Sequence, residues 1–164
     1  HKDGKRRLVI SDQGLVPNPP NVNYLTLLQR LEDKMRLLAE NEVRYESHLV
    51  DDAKLIVVAF GYAARVSEEA VNQARHKGLK VGLLRPVTLY PFPYQAIANY
   101  AQRGANFLVV EDNLGMMVDD VRLGVEGKSQ VNFLGALAHH VPTDAGRILP
   151  DRVLTEIEQV YKGG

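Results

Sequence analysis

The stretch "AKLIVVAFGYAARVSEEAVNQARHKGLKVGLL", Ala53 to Leu84, decides the fold. It opens on a continuous apolar run ending in glycine, the pattern of a strand buried on both faces. The polar segment "SEEAVNQARHKG" follows with helical character. Ser67 is placed as its N-cap, Glu68 and Glu69 in its first turn, and Gly78 just past its end. "LKVGLL" is then a second buried strand. Strand, helix and strand in this order form a crossover between parallel strands.

The alternation continues downstream. "YQAIANYAQRG" is helical, "NFLVVE" a buried strand, "MMVDDVRLGVEG" a helix, "QVNFLG" a strand, and "PDRVLTEIEQVYKGG" a closing helix with Pro150 near its first turn. The expected fold is α/β: a three-layer α/β/α arrangement around a mostly parallel sheet, with strands near 54–60, 79–84 and 106–111. Upstream, Leu27, Leu28, Leu31, Met35 and Leu38 fall at helical spacing within Tyr24 to Glu42, which predicts an amphipathic helix. The opening "HKDGKRRLVISDQGLVPNPPN" mixes charges, glycines and prolines and reads as a connector, with "RRLVIS" a short strand within it. The expected organisation is a connector over 1–22, an amphipathic helix with its own connector over 23–50, and the α/β domain over 51–164.

Lysine plus arginine equals aspartate plus glutamate, 20 each, in 164 residues. That balance argues against nucleic acid or an anionic membrane surface as partner. No apolar run approaches the roughly 18 residues of a spanning helix. The absence of cysteine fits a reducing cytoplasm and excludes an iron–sulfur cluster ligated within this chain.

In parallel sheets, function gathers beyond the carboxyl ends of the strands. Three loops are expected there. Gly61, Tyr62, Ala63, Ala64 and Arg65 form a strand-to-helix turn whose free amides and arginine suit an anion, or serve as a plain turn. "RPVTLYPFP", Arg85 to Pro93, concentrates prolines and rings. The prolines fix one loop shape at low entropic cost. Tyr90, Phe92 and Tyr94 either anchor an interface or cover the sheet edge. In "EDNLGMMVDD", Glu111 to Asp120, the carboxylates suit acid–base chemistry, a metal, a helix cap or a partner's arginine. Met116 and Met117 pack in the core or at an interface. His139 and His140 are adjacent and point to opposite sides if in a strand. His76 sits at a charged helix end facing solvent. No nucleophile elbow and no metal ligand set emerges, so no complete active site can be assembled from this chain.

"DAKLIVVAFGYAARVSEEAVNQARHKGLKVGLLRPVTLYPFP", Asp52 to Pro93, with the later "FLVVEDNLGMMVDDVRLGVEGKSQVNFLG", resembles one family. It is similar to the C-terminal, transketolase-C-terminal-like domain of the alpha subunit of 2-oxoacid:ferredoxin oxidoreductases. The run Gly82 to Pro93 and its pairing with Val110-Glu111 and Asp119-Asp120-Val121-Arg122 carry the likeness. Upstream, "LEDKMRLLAENEVRYE", Leu31 to Glu46, is most similar to the 2-oxoisovalerate (branched-chain) members. The resemblance spans roughly Asn23 to Val141.

The resemblance implies a whole enzyme that converts a 2-oxoacid (2-oxoisovalerate, pyruvate or 2-oxoglutarate) plus coenzyme A to acyl-CoA and carbon dioxide, reducing ferredoxin. It implies thiamine diphosphate, magnesium and iron–sulfur clusters in that enzyme, none bound by this chain alone. The partners it implies are the pyrimidine-binding domain and other subunits, within an oligomer. This chain is then a fragment with a structural and docking role and no catalytic residue. Arg85, Pro86, Thr88, Tyr90, Pro91, Phe92, Glu111, Asn113, Met116 and Met117 are the expected interface, with the rings partly exposed in the isolated domain. Two positions depart from the family pattern: Gly115-Met116-Met117 stands where Gly-Gln-Met is common, and His139-His140 where a glycine pair is common. The alternatives are the C-terminal domain of another transketolase-like enzyme and a free-standing anion-binding domain at the Gly61–Arg65 turn.

Overall fold

A computed structural model describes residues 24–136 and 147–163. The chain divides into two compact units, residues 1–42 and 43–164. In the first, α1 spans Tyr24–Asn41. Of the predicted stripe, Leu28, Leu31 and Met35 are exposed, while Leu27 and Leu38 are partly buried. Arg36 pairs with Asp33 at 3.3 Å and Glu40 at 3.7 Å on the helix surface, which adds a few tenths of a kcal/mol per pair at most.

The second unit runs β1 (Tyr45–His48), β2 (Leu55–Ala59), α2 (Gly61–His76), β3 (Val81–Pro86), α3 (Tyr94–Gln102), β4 (Asn106–Val110), α4 (Met117–Val125), β5 (Val131–Leu134) and α5 (Pro150–Gly163). The five strands form one sheet in the order β1-β3-β2-β4-β5. β3, β2, β4 and β5 are parallel, and β1 alone runs antiparallel, along β3. This is the expected α/β architecture.

Alternation sorts the core. In β2, Leu55, Val57 and Ala59 pack with Ala63, Ala70 and Ala74 of α2 and with Val153 and Ile157 of α5. Ile56 and Val58 face the other way, onto Ile97 and Ala101 of α3 and Met117, Val118 and Val121 of α4. Both faces of the strand are therefore covered, which is why its sequence shows no polar alternation. On the second face α4 approaches α3 closely. A Cβ built on Gly124 would stand 2.8 Å from Cγ2 of Ile97, so only glycine fits there.

Two expectations are corrected. α2 begins at Gly61, not at Ser67. Gly61 takes φ +57° and turns the chain directly into the helix. Ala63, Ser67, Ala70 and Ala74 then form one small-residue stripe against the sheet, with Ser67 fully buried. The Ser-Glu-Glu pattern imitates a cap, but burial of that stripe outweighs it. At the other end Gly78 does lie past the helix, at φ +83°, and Leu79 N–H donates to the Ala74 carbonyl at 3.1 Å.

The second correction is β1. The segment "YESH" is polar and mostly exposed, so no apolar pattern marks it as a strand. Its pairing carries β3 on to Pro86, where Tyr45 faces Pro86 and Glu46 faces Arg85. The expected short strand "RRLVIS" and the pair His139-His140 lie outside the described residues.

Candidate functional site at the carboxyl edge

The parallel strands deliver three loops to one edge of the sheet. After β2 comes the α2 start. No side chain caps it, and Phe60 is the N-cap residue. Of the five candidates there, Ala63 and Ala64 are buried under the helix, while Gly61, Tyr62 and Arg65 are exposed. Tyr62 is half exposed and its hydroxyl donates to the Ile148 carbonyl at 3.4 Å.

After β3 comes the proline loop, held by hydrogen bonds to the backbone ahead of β1. Val87 N–H and Thr88 N–H both donate to the Arg44 carbonyl, at 2.9 and 3.1 Å. Thr88 Oγ1 accepts from Arg44 N–H at 3.0 Å and donates to the Pro91 carbonyl at 3.0 Å. Arg85 donates to Glu46 Oε2 at 2.8 Å across the antiparallel pair. The Tyr90–Pro91 peptide is cis. The rings separate. Tyr90 is 61% exposed, together with Val87 and Leu89, whereas Phe92 is only 4% exposed and belongs to the core beside α3. The expectation of a partly exposed Phe92 is thereby corrected: the ring packs edge-on against Tyr94, with centroids 5.1 Å apart, and fills the space under the loop.

Tyr94 opens α3, and its hydroxyl donates to Asp120 Oδ1 in the first turn of α4. That bond, with partial burial second, raises the phenol to about 12. The pair ties the proline loop to the third loop.

After β4 comes Glu111, fully buried. Its Oε1 accepts from Val118 N–H at 2.9 Å. Its Oε2 accepts from Met117 N–H at 2.9 Å, Met116 N–H at 3.3 Å and Asn113 Nδ2 at 3.1 Å. The carboxylate thus meets the orphan amides of the α4 N-terminus. Among the open roles for these carboxylates, capping is the one the geometry realises for Glu111. Met117 is buried beneath it, while Leu114 and Met116 stand in solvent. Leu114 is absent from the residues expected at this edge. An apolar residue alone between turn-formers, outside any periodic segment, was the available signal.

Among the described residues no group of three His, Asp or Glu is placed to hold a metal ion, and no helix is long and apolar enough to cross a membrane. A thiamine diphosphate does not fit at α4, because Glu111 already fills the amide cluster that a diphosphate would require. The chain has no cysteine to ligate an iron–sulfur cluster.

Residues 53–144 match the family model for pyruvate:ferredoxin oxidoreductase core domain II, and the chain belongs to that family. It is 46% identical over 107 residues to the ketoisovalerate oxidoreductase subunit VorB of Methanothermobacter thermautotrophicus, a match covering 64% of this chain and 30% of that subunit. It is 32% identical over 124 residues to the 2-oxoglutarate synthase subunit KorA of the same organism, covering 75% of this chain and 33% of that one. A solved 2-oxoglutarate:ferredoxin oxidoreductase from Magnetococcus marinus, with 2-oxoglutarate, coenzyme A and succinyl-CoA bound, shares the fold at TM-score 0.68 and 18% identity, covering 88% of this chain and 24% of that one. The chain thus spans about a third of the length of these relatives, or less.

Proposed function

We propose that this chain is a non-catalytic structural and docking domain of a thiamine-diphosphate-dependent 2-oxoacid:ferredoxin oxidoreductase. The enzyme converts a 2-oxoacid plus coenzyme A to acyl-CoA and carbon dioxide and reduces ferredoxin. The higher identity to a ketoisovalerate oxidoreductase subunit favours a branched-chain substrate. Its partners are the pyrimidine-binding domain and the other subunits, which hold thiamine diphosphate, magnesium and the clusters. It works in the cytoplasm. The domain organisation we adopt is a connector over 1–22, helix and connector over 23–50, and the docking domain from 51, with β1 as the strand by which the connector joins the sheet.

One observation carries the reading. Beyond the buried core, Tyr62 at the start of α2 and Val87, Leu89, Tyr90, Leu114 and Met116 on the loops after β3 and β4 are exposed at one edge. Apolar side chains gathered on one edge mark an interaction surface. The proposed interface residues Arg85, Pro86, Thr88, Pro91 and Asn113 shape or flank that edge.

The test has two arms. The chain alone, given 2-oxoisovalerate, coenzyme A, thiamine diphosphate and a viologen dye, should stay at background. The assembled enzyme should reduce the dye and retain this domain through gel filtration. Turnover by the chain alone would overturn the non-catalytic role, and failure to assemble would overturn the docking role.

A further inference from the structure

Leu114, 74% exposed, and Met116, 76% exposed, are the two most exposed large apolar side chains among the described residues. They sit on the loop between β4 and α4, which is fixed from inside. Glu111 holds the Met116 and Met117 amides. Asn113 Oδ1 accepts from Gly115 N–H at 2.7 Å, and the Asn113 carbonyl accepts from Ala136 N–H at 3.0 Å. Gly115 takes φ +100°, and a Cβ on it would stand 3.2 Å from the Phe133 ring. A loop so tied does not fold its tip inward. Holding two apolar side chains out in water on a rigid frame is preorganisation for insertion. The base of the loop carries one exposed carboxylate, Asp112, while Asp119 is already paired with Arg122 at 2.9 Å.

We propose that Leu114 and Met116 form a docking finger that inserts into an apolar pocket with a basic rim. The pocket lies on the portion of the enzyme corresponding to the part of the relatives that this chain does not span. The match covers only 30% of VorB and 33% of KorA, so most of such a subunit lies beyond it. Asp112 selects a basic rim by charge complementarity and disfavours a second copy of this chain, which brings the same carboxylate. The proposal rests on the docking-domain reading and names its anchor.

The experiment uses the assembled enzyme carrying Leu114→Ser with Met116→Ser, compared with unmodified enzyme and with Leu123→Ser, a leucine on α4 that is 68% exposed. Dissociation on dilution is followed by mass photometry, and melting of the 164-residue chain is recorded for each variant. The finger predicts roughly tenfold or greater weakening for the double variant, as for a central hot spot, with melting unchanged and Leu123→Ser neutral. Asp112→Lys should weaken assembly at low salt, and the loss should fade as salt is raised. Unchanged assembly in the double variant overturns the finger while leaving the docking role intact. An unaffected Asp112→Lys overturns the basic rim. Failure of the unmodified chain to assemble overturns the docking role itself. Finger-dependent pairing between two copies of this chain overturns the choice of occupant.

Discussion

Glu111, the first residue beyond β4, places Oε1 2.9 Å from the amide nitrogen of Val118, the second residue of α4. A strand end and the helix that follows it are joined by one buried side chain. The loop between them closes around that bond.

Glu111→Ala should therefore cost far more than a surface substitution. It leaves buried amides at the α4 N-terminus without acceptors, at about 3 kcal/mol of unfolding free energy. Glu111→Gln keeps the shape but turns a donor toward donors, at about 1–2 kcal/mol. Urea denaturation of both variants checks this. A loss under about 0.5 kcal/mol for Glu111→Ala would show that water replaces the cap without penalty.

The Tyr94–Asp120 bond makes stability depend on alkaline pH. The folded phenol is raised to about 12 from its ordinary value of 10.0. A group raised on folding stabilises fully below its unfolded value and loses that contribution as pH climbs through the folded one. Wild type should exceed Tyr94→Phe in stability at pH 8 by less than about 1 kcal/mol, since the site is partly exposed. The gap should shrink between pH 10 and 12. A gap independent of pH would remove the hydroxyl's role.

Phe92 and Tyr90 lie two residues apart and should fail in different ways. Phe92→Ala opens a core cavity and should cost roughly 3–5 kcal/mol. Tyr90→Ala should leave melting nearly unchanged while weakening assembly about tenfold. Melting curves and a dilution series on the same preparations separate the two. A large melting loss for Tyr90→Ala would place that ring in the core.

Gly124→Ala forces a methyl against Ile97. The helix pair has to part, and the expected cost is about 1–3 kcal/mol. Adding Ile97→Ala, which removes the Cγ2 methyl that the new Cβ meets, should cost less in the Gly124→Ala background than it costs alone. An unaltered melting temperature in the single variant would mean that α3 yields freely.

The central strands were legible because burial on both faces leaves an unbroken apolar run, as in Leu55–Ala59. β1 was not, since an edge strand with polar side chains carries its identity in backbone pairing alone. The α2 start was misplaced because Ser67 with Glu68 and Glu69 imitates a cap locally, while the tight turn at Gly61 is set by the end of β2. Within the proline loop no period distinguishes Tyr90 from Phe92. Which ring turns inward depends on the space over α3, a tertiary fact. The carboxylate at 111 was legible as one of several roles, and only its register against the α4 amides selects capping.

β1 precedes β2 and β3 in the chain but, among the described residues, pairs only with β3. Tyr45 reaches Pro86 across a longer stretch of chain than Leu55 reaches Val81, so β1 should pair later than the β2–β3 crossover. Lying at the sheet edge, it can leave without breaking any pairing among the parallel strands. Local opening of the domain should begin at this strand, and its amides should exchange with solvent long before those of β2 and β4. The segment that links the sheet to the chain before it is then a detachable latch on a permanent body.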